Sequence, residues 1–294
     1  MNEKEVQSLI KLLDDPDTEI SRHVEDKLLS FGNEVIELLE NAWSQSLDAI
    51  LQESIENLVH KIQYRNVKRD LELWYISGAF DLLQGMLIIN KYQYPDLDEQ
   101  KIINQLEDIK RDIWIQLIYE MSAVEKVKII NHVLYTNQGF RGNTGNHLDP
   151  QNSYLSQVLE SKKGNQILLA VIYSIIAQKL DIPIYGVNLP QHFILAFVDE
   201  AATDQNSRAG NDFENRILFY INAFNKGFLF GRKDVDAFLK QLNLKPLNHF
   251  YEPCSHVDII QRVLRNLISA YEKLSEIEKV AELREMLAIF PEPR

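Results

Sequence analysis

The sequence predicts an α+β protein in which one buried helix packs on an antiparallel sheet, with helical regions at both ends of the chain. Three observations predict this fold class. Residues 165–180 are apolar on every side of a helix, as only a helix buried all round tolerates. Two nearly continuous apolar runs, His192–Val198 and Arg216–Phe224, have the composition of interior strands. Residues 1–122 and 253–294 carry apolar side chains at helical spacing.

The N-terminal region, residues 1–122, is predicted to be helical throughout. Its first apolar stripe, Val6–Leu13, is interrupted by the turn-forming run Asp14–Asp17. The pattern L-L-D-D-P-D-x-E-I resembles a HEAT-type helical repeat, and a weak echo of it starts at Asp48. Two such units are too few for a solenoid, so an antiparallel helical bundle is the alternative interpretation. Further helices are predicted over Asp70–Lys91 and Asp98–Tyr119.

The central region, residues 123–252, changes character. Ser122 and Glu125 have the spacing of a capping box, which predicts a helix start. A long polar loop follows over Thr136–Gln151, and loops of that length are often functional. After the buried helix, the sequence predicts strands, a polar loop and one more helix: Ile182–Val187, His192–Val198, the loop Ala201–Glu214, Arg216–Phe224, Gly227–Phe230 and the helix Arg232–Leu242.

The C-terminal region, residues 253–294, is predicted to form two amphipathic helices, with apolar stripes over Ile259–Tyr271 and Ile277–Ile289. With Pro291 close behind them, the pair resembles one tetratricopeptide hairpin. A single hairpin cannot bury both of its faces. It is therefore expected to pack on the rest of the chain or on a partner.

Composition limits the class of protein. Of 294 residues, 45% are hydrophobic and 25% charged, as in soluble globular proteins. The polar start predicts no signal peptide, and the longest uncharged apolar run, Ile167–Ala177, is too short to cross a bilayer. The single cysteine, Cys254, allows no intrachain disulfide, and the histidines show no metal-ligand spacing. We therefore expect a cytoplasmic protein with no membrane partner, no metal and no cofactor.

Negative charge is concentrated at the front of the chain. Residues 1–125 carry a formal charge of −13, and residues 126–294 carry +1. Because an acidic surface repels a phosphate backbone, nucleic acid is not an expected partner. A well-solvated helical surface explains the acidity, and an acidic docking face for a basic protein is the alternative.

The order of elements around the buried helix has a chemical meaning. A catalytic thiol is favoured at a helix N-terminus, where unpaired N–H groups stabilise the thiolate. A histidine on an adjacent strand takes its proton, and a group on the next strand orients that histidine. The chain has a helix start, then His192, then the strand that begins at Arg216. This order resembles that of papain- and transglutaminase-type enzymes, which have a core of the predicted α+β class.

Five motifs between Gly139 and Gly227 make the resemblance more specific. They are similar to signatures of the bacterial SirB-type transglutaminase-like family, and they occur in that family's order. The motifs are Gly139-Phe140-Arg141-Gly142-Asn143, Asn152-Ser153-Tyr154-Leu155, Lys163-Gly164-Asn165-Gln166-Ile167, Gly186-Val187-Asn188-Leu189-Pro190-Gln191-His192-Phe193 and Asn222-Ala223-Phe224-Asn225-Lys226-Gly227.

The resemblance implies a site without its reactive atom. Gln166 stands where active transglutaminase-like enzymes have cysteine, and Asn222 stands where the family pattern has aspartate. Only His192 keeps its expected identity. No catalytic residue set is therefore intact, and Gln166, His192 and Asn222 are vestigial positions. The resemblance implies a catalytically inactive protein that binds a peptide or protein partner in the old substrate cleft.

Candidate binding residues follow from the same motifs. Asn188, Gln191, Asn225, Arg141 and Tyr154 are predicted to contact the ligand, with loop anchoring as the alternative for Arg141 and Tyr154. Neutral hydrogen-bonding groups suit amide recognition better than acid–base chemistry.

Two other functions remain open at this level. An amide-bond hydrolase or acyl transferase would need His192 and a nucleophile from elsewhere, and Cys254 is a candidate because it precedes a predicted helix. An incidental thiol is the alternative for Cys254. A structural adaptor would act through its helical flanks alone.

Overall fold

A computed structural model describes residues 2–146, 148–199 and 216–291. The predicted loop Ala201–Glu214 lies outside these residues. The chain divides into two compact units. The first comprises Met1–Leu73 and Lys91–Pro95, and the second comprises Trp74–Asn90 and Asp96–Arg294. The division of the sequence into three domains, residues 1–122, 123–252 and 253–294, stays a prediction.

Helices make up both ends of the described chain, as expected. Those before the first strand are α1 (Glu3–Ile10), α2 (Thr18–Ser30), α3 (Ile36–Gln45), α4 (Ala49–Ile76), α5 (Leu82–Gln93), α6 (Glu99–Trp114) and α7 (Ala123–Asn131), which continues as a π-helical segment (His132–Asn137). Those after it are α8 (Leu155–Ser161), α9 (Gln166–Gln178), α10 (Arg232–Gln241), α11 (His256–Lys273) and α12 (Ile277–Leu287).

Strands form two sheets in the second unit. A two-stranded parallel sheet joins β1 (Arg141–Gly142) to β2 (Lys163–Gly164). The main sheet is antiparallel, in the order β3, β4, β5, β6. Its strands are β3 (Ile184–Leu189), β4 (His192–Val198), β5 (Ile217–Asn222) and β6 (Phe228–Phe230). The α+β prediction is therefore confirmed, with the helical flanks in place.

The first unit is built on a helical core. Leu28, Leu39, Ile55 and Leu58 are among its buried side chains. Asp17 caps α2, because its carboxylate accepts a hydrogen bond from the backbone of Glu19 at 2.9 Å. The aspartate-rich turn thus ends one helix and starts the next, as the sequence indicates. The likeness to HEAT repeats stays a prediction.

The single helix predicted over Asp70–Lys91 is wrong. The structure ends α4 at Ile76 and starts α5 at Leu82. Gly78 and Ala79 both have positive φ angles, of 103° and 52°, which a right-handed helix cannot contain. The sequence pattern missed the break because the apolar spacing continues through it.

Three layers make up the core of the second unit. Helix α9 is buried over almost its whole length and packs on β3 and β4, as its all-round apolar sequence predicts. Beside it, α11 contributes Ile259, which lies next to Gly186 and Phe193 on the same face of the sheet. The opposite face is covered by α10 through Val235 and Leu239. The sheet therefore separates α9 and α11 from α10.

Helix α7 begins with the predicted capping box. The hydroxyl of Ser122 accepts from the backbone N–H of Glu125, and the Glu125 carboxylate accepts from the backbone N–H of Ser122 at 2.8 Å. At its other end, α7 presents Asn131, whose side-chain amide donates to the carbonyl of Gly227 at 2.9 Å. Asn131 also accepts a hydrogen bond from the buried hydroxyl of Tyr173 at 3.0 Å. Helices α7 and α9 and the turn after β5 are thus joined through one side chain.

Candidate active site

The N-terminus of α9 is capped by Asn165. Its side-chain oxygen accepts from the backbone of Leu168 at 2.9 Å, and its amide donates to the hydroxyl of Ser153 at 2.8 Å. Gln166 is the first residue of the helix, and its amide oxygen accepts from the backbone N–H of Phe193 at 3.3 Å. The position expected for a nucleophile therefore holds a neutral amide that connects α9 to β4.

A cavity of about 300 Å³ opens beside Gln166. Its walls combine five side-chain amides, two hydroxyls, one guanidinium, one carboxylate and apolar groups. The lining residues are Asn143, Leu148, Asp149, Ser153, Asn165, Gln166, Ile167, Gln191, Phe193, Phe224, Arg262, Asn266, Ser269 and Ala270. The walls offer many hydrogen-bonding groups and few charges, so they can both donate to and accept from a polar ligand.

The long loop after α7 forms one wall of this cavity, and its side chains hold it in shape. Asn143 donates to the side-chain oxygen of Asn152 at 2.9 Å, and Asn152 donates to the carbonyl of Asn146 at 2.7 Å. The carboxylate of Asp149 accepts from the backbone of Gln151 at 2.9 Å and from the side chain of Asn146 at 3.1 Å. These polar groups mainly support the loop itself.

Helix α11 supplies the opposite wall through Arg262, Asn266 and Ser269. These residues are four and three positions apart, so they lie on one face of the helix. Arg262 donates from Nη1 to the side-chain oxygen of Asn188 at 3.0 Å. The sequence reasoning missed this wall. A polar stripe at helical spacing was the available signal, but a solvent-exposed helix face has the same pattern.

The structure does not bring His192 to Gln166. His192 pairs with Leu189, which lies in the hydrophobic cluster on the α10 side of the sheet. Its ring packs edge-to-face on Phe238 of α10, with centroids 4.7 Å apart. The next residue, Phe193, points to the α9 side and lines the cavity. Because side chains alternate along a strand, His192 and Gln166 lie on opposite sides of β4.

The surroundings of His192 favour its neutral form over its charged form. Burial lowers the pKa of the imidazole below its ordinary value, and the positive charge of Arg262 lowers it further. No hydrogen bond joins His192 to Asn222 within the described residues. The side-chain oxygen of Asn222 instead accepts from the backbone of Asn225 at 3.0 Å and caps the short helix Ala223–Asn225. Among the described residues, the histidine therefore has neither an orienting hydrogen-bond partner nor a nucleophile beside it.

The predicted binding residues separate into two groups. Gln191, which has a φ of 61°, lines the cavity, and Asn188 reaches it through Arg262. Asn225 and Arg141 are exposed and are not among the lining residues. Tyr154 is fully buried, and its hydroxyl lies 3.1 Å from that of Tyr271. The burial of Tyr154 favours the structural role, which was predicted as loop anchoring, and its contact with a ligand stays a prediction.

The remaining nucleophiles have no base beside them. Ser153 and Ser269 line the cavity, but neither hydroxyl is hydrogen-bonded to a histidine or carboxylate in the described part of the chain. Cys254 lies outside the cavity lining, and burial raises the pKa of its thiol to about 12. Among the described residues, no group of three or more His, Cys, Asp or Glu side chains could hold a metal ion. No helix within them is long and apolar enough to span a membrane.

Comparison with known proteins adds to this geometry. A family model described as the transglutaminase-like superfamily matches residues 100–265. The chain is similar to UPF0162 proteins from two strains of Xylella fastidiosa, at 29% and 31% identity over 72% of this chain and 74% of each relative. It is 28% identical to human F-box only protein 21 over 80% of this chain, and the match covers 35% of that protein. No solved structure matches the chain.

Proposed function

The chain belongs to the transglutaminase-like superfamily, and from this premise we propose that it is a catalytically inactive member that binds a peptide or protein partner. The binding site is the cavity between the start of α9 and the polar face of α11. One observation carries the proposal. At the position where the superfamily needs a nucleophile, Gln166 uses its amide oxygen to hold β4 and borders an amide-lined cavity.

The geometry of His192 supports the absence of catalysis. A general base must lie within hydrogen-bond reach of the group it deprotonates. His192 lies on the far side of β4 from Gln166, against Phe238. A cysteine introduced at position 166 would therefore still lack a histidine base within hydrogen-bond reach.

The lining of the cavity supports peptide recognition. Five side-chain amides, among them Asn143, Asn165, Gln166 and Gln191, can each donate and accept hydrogen bonds. A peptide group has one donor and one acceptor, so such a lining can satisfy an extended backbone. Apolar contacts from Phe193 and Phe224 add burial for a side chain.

The proposal also covers the branch of the superfamily, the C-terminal hairpin, the cellular location and the class of partner. The five motifs support a place in the SirB-type branch of the superfamily. The helices α11 and α12 support a tetratricopeptide-like hairpin, and polar composition supports a cytoplasmic location. The acidic N-terminal region supports a protein partner rather than nucleic acid.

Retention of a random hexapeptide pool on the immobilised chain tests the proposal. Retained peptides are identified by mass spectrometry, and the dissociation constant of the most enriched sequence is measured by fluorescence anisotropy. We expect saturable binding that the free peptide competes away. Absence of any enriched peptide would contradict binding of a peptide in the cavity.

Cys254 provides a separate prediction about the enzyme alternative. Since burial raises the pKa of the thiol to about 12, the reactive thiolate is scarce at neutral pH. Iodoacetamide is expected to label Cys254 at least about 100-fold more slowly in buffer at pH 8 than in urea, where the thiol regains its ordinary pKa. Intact mass against time measures both rates. Labelling that is fast in buffer and independent of pH above 7 would reveal an activated thiol. Such a result would support the alternative function as an amide-bond hydrolase or acyl transferase.

A further inference from the structure

Among the described residues that line the cavity, one, Arg262, carries a positive charge. Arg262 lines it and is partly buried, and it forms no ion pair with a carboxylate among the described residues. Its hydrogen bonds go from one nitrogen, Nη1, to two neutral acceptors, the side-chain oxygen of Asn188 at 3.0 Å and the carbonyl of Leu189 at 3.5 Å. A guanidinium carries five N–H donors, so most of its hydrogen-bonding capacity is not used by these contacts.

The one acidic residue of the lining, Asp149, forms no ion pair with Arg262 in the described part of the chain. Both carboxylate oxygens of Asp149 accept hydrogen bonds within its own loop, one from the backbone of Gln151 and one from the side chain of Asn146. The other polar lining groups are amides and hydroxyls. The lining therefore carries one negative and one positive side chain, and no ion pair joins the two among the described residues.

The surroundings of Arg262 in the free protein disfavour its charged form. Burial lowers the pKa of the guanidinium, and the neighbouring Arg265 lowers it further. A partly desolvated cation of this kind is stabilised by an anion that can accept several of its hydrogen bonds. The carboxylate is the anionic group of an unmodified peptide, and it matches a guanidinium because two parallel N–H···O bonds can form.

We propose that the cavity recognises a carboxylate of its peptide ligand through Arg262, with the amides around it binding the adjoining peptide groups. This inference rests on the proposed function. The volume of about 300 Å³ accommodates a short segment rather than a folded surface. Two sources can present such a carboxylate, the C-terminus of the peptide or an aspartate or glutamate side chain.

Three hexapeptide pools distinguish these sources, all N-acetylated and matched in composition. The first has a free C-terminal carboxylate and no acidic side chain. The second is its C-terminal carboxamide. The third is also a carboxamide but has aspartate or glutamate at one internal position. We expect the first or third pool to be retained at least about tenfold better than the second, and the better of the two identifies the source.

The variant Arg262→Gln is expected to lower retention of the charged pools to that of the neutral pool. Arg265→Gln is the matched control, since it removes the same charge from α11 outside the cavity lining and should keep the preference. Thermal unfolding verifies that both variants fold. As a measurement independent of folding, sodium acetate should release the retained acidic peptides from the unaltered chain at concentrations where sodium chloride of equal ionic strength does not.

Equal retention of all three pools by the unaltered chain, or a preference that survives Arg262→Gln, would overturn carboxylate recognition and leave peptide binding intact. Retention of none of the pools would overturn peptide binding itself. Release by chloride and acetate alike would show nonspecific charge attraction and would also contradict the inference.

Discussion

Replacing Gly227 by alanine is expected to lower the free energy of unfolding by about 3 kcal/mol, a large part of the stability of an ordinary domain. Gly227 is buried and has a φ of 71°, a conformation that strains every side chain. A methyl group there would overlap the side-chain oxygen of Asn131. The energetic cost of the backbone strain and the cost of displacing Asn131 therefore add together.

Displacing Asn131 is costly because it joins three elements. Its amide donates to the Gly227 carbonyl and its oxygen accepts from Tyr173, whose hydroxyl is fully buried. Without Asn131 that hydroxyl would lose its partner in the interior, which costs more than the hydrogen bond contributes. The turn that Gly227 ends also carries Phe224, which lines the cavity and packs on Gly142. We therefore expect weaker peptide binding as well.

Two further glycines provide matched controls for Gly227→Ala. Gly139 has a φ of 75° but open space around it, so Gly139→Ala should cost only the backbone strain, about 1 kcal/mol. Gly145 also has open space and no such φ, so Gly145→Ala should change stability little. Urea unfolding followed by circular dichroism measures all three. Equal costs for Gly227→Ala and Gly139→Ala would contradict the role of Asn131.

The second large effect is expected on binding. Ser269 of α11 is exposed and lines the cavity. The substitution Ser269→Trp puts an indole ring in place of a small lining side chain and should obstruct the cavity. Serine and tryptophan have similar helix propensities, so the fold should be kept. We expect the most enriched peptide to bind at least about tenfold more weakly, measured by fluorescence anisotropy.

Lys273→Trp is the control for Ser269→Trp. Lys273 is exposed at the last turn of the same helix and does not line the cavity. It should leave the dissociation constant within twofold or so of the unaltered chain. Peptide binding that is insensitive to Ser269→Trp would place the binding surface elsewhere, and the adaptor function of the helical flanks would then gain support.

Local chemistry made the framework of the site predictable. An apolar sequence on all sides predicted a helix over residues 165–180, and the structure has α9 at Gln166–Gln178, because complete burial leaves a direct signal in the sequence. Ser122 and Glu125 identified the start of α7 because a capping box has a characteristic spacing. The strand that begins at His192 was also predicted at its observed bounds.

The face occupied by His192 could not be predicted. Strand β4 is apolar on both sides from Phe193 to Val198, so alternation gives no indication of which side faces α9. Arg262 was missed for a different reason. It lies outside all five motifs, and its hydrogen bond to Asn188 spans 74 positions of the chain. A site built by a distant helix leaves no local pattern.

The central claim is that this site holds a peptide without reacting with it. The most direct test is to incubate the chain with its most enriched peptide and record the masses of both by intact mass spectrometry. We predict that peptide and chain are recovered with unchanged masses after binding has been verified. A shortened, deamidated or cross-linked peptide, or a chain that carries a covalent acyl group, would contradict the account.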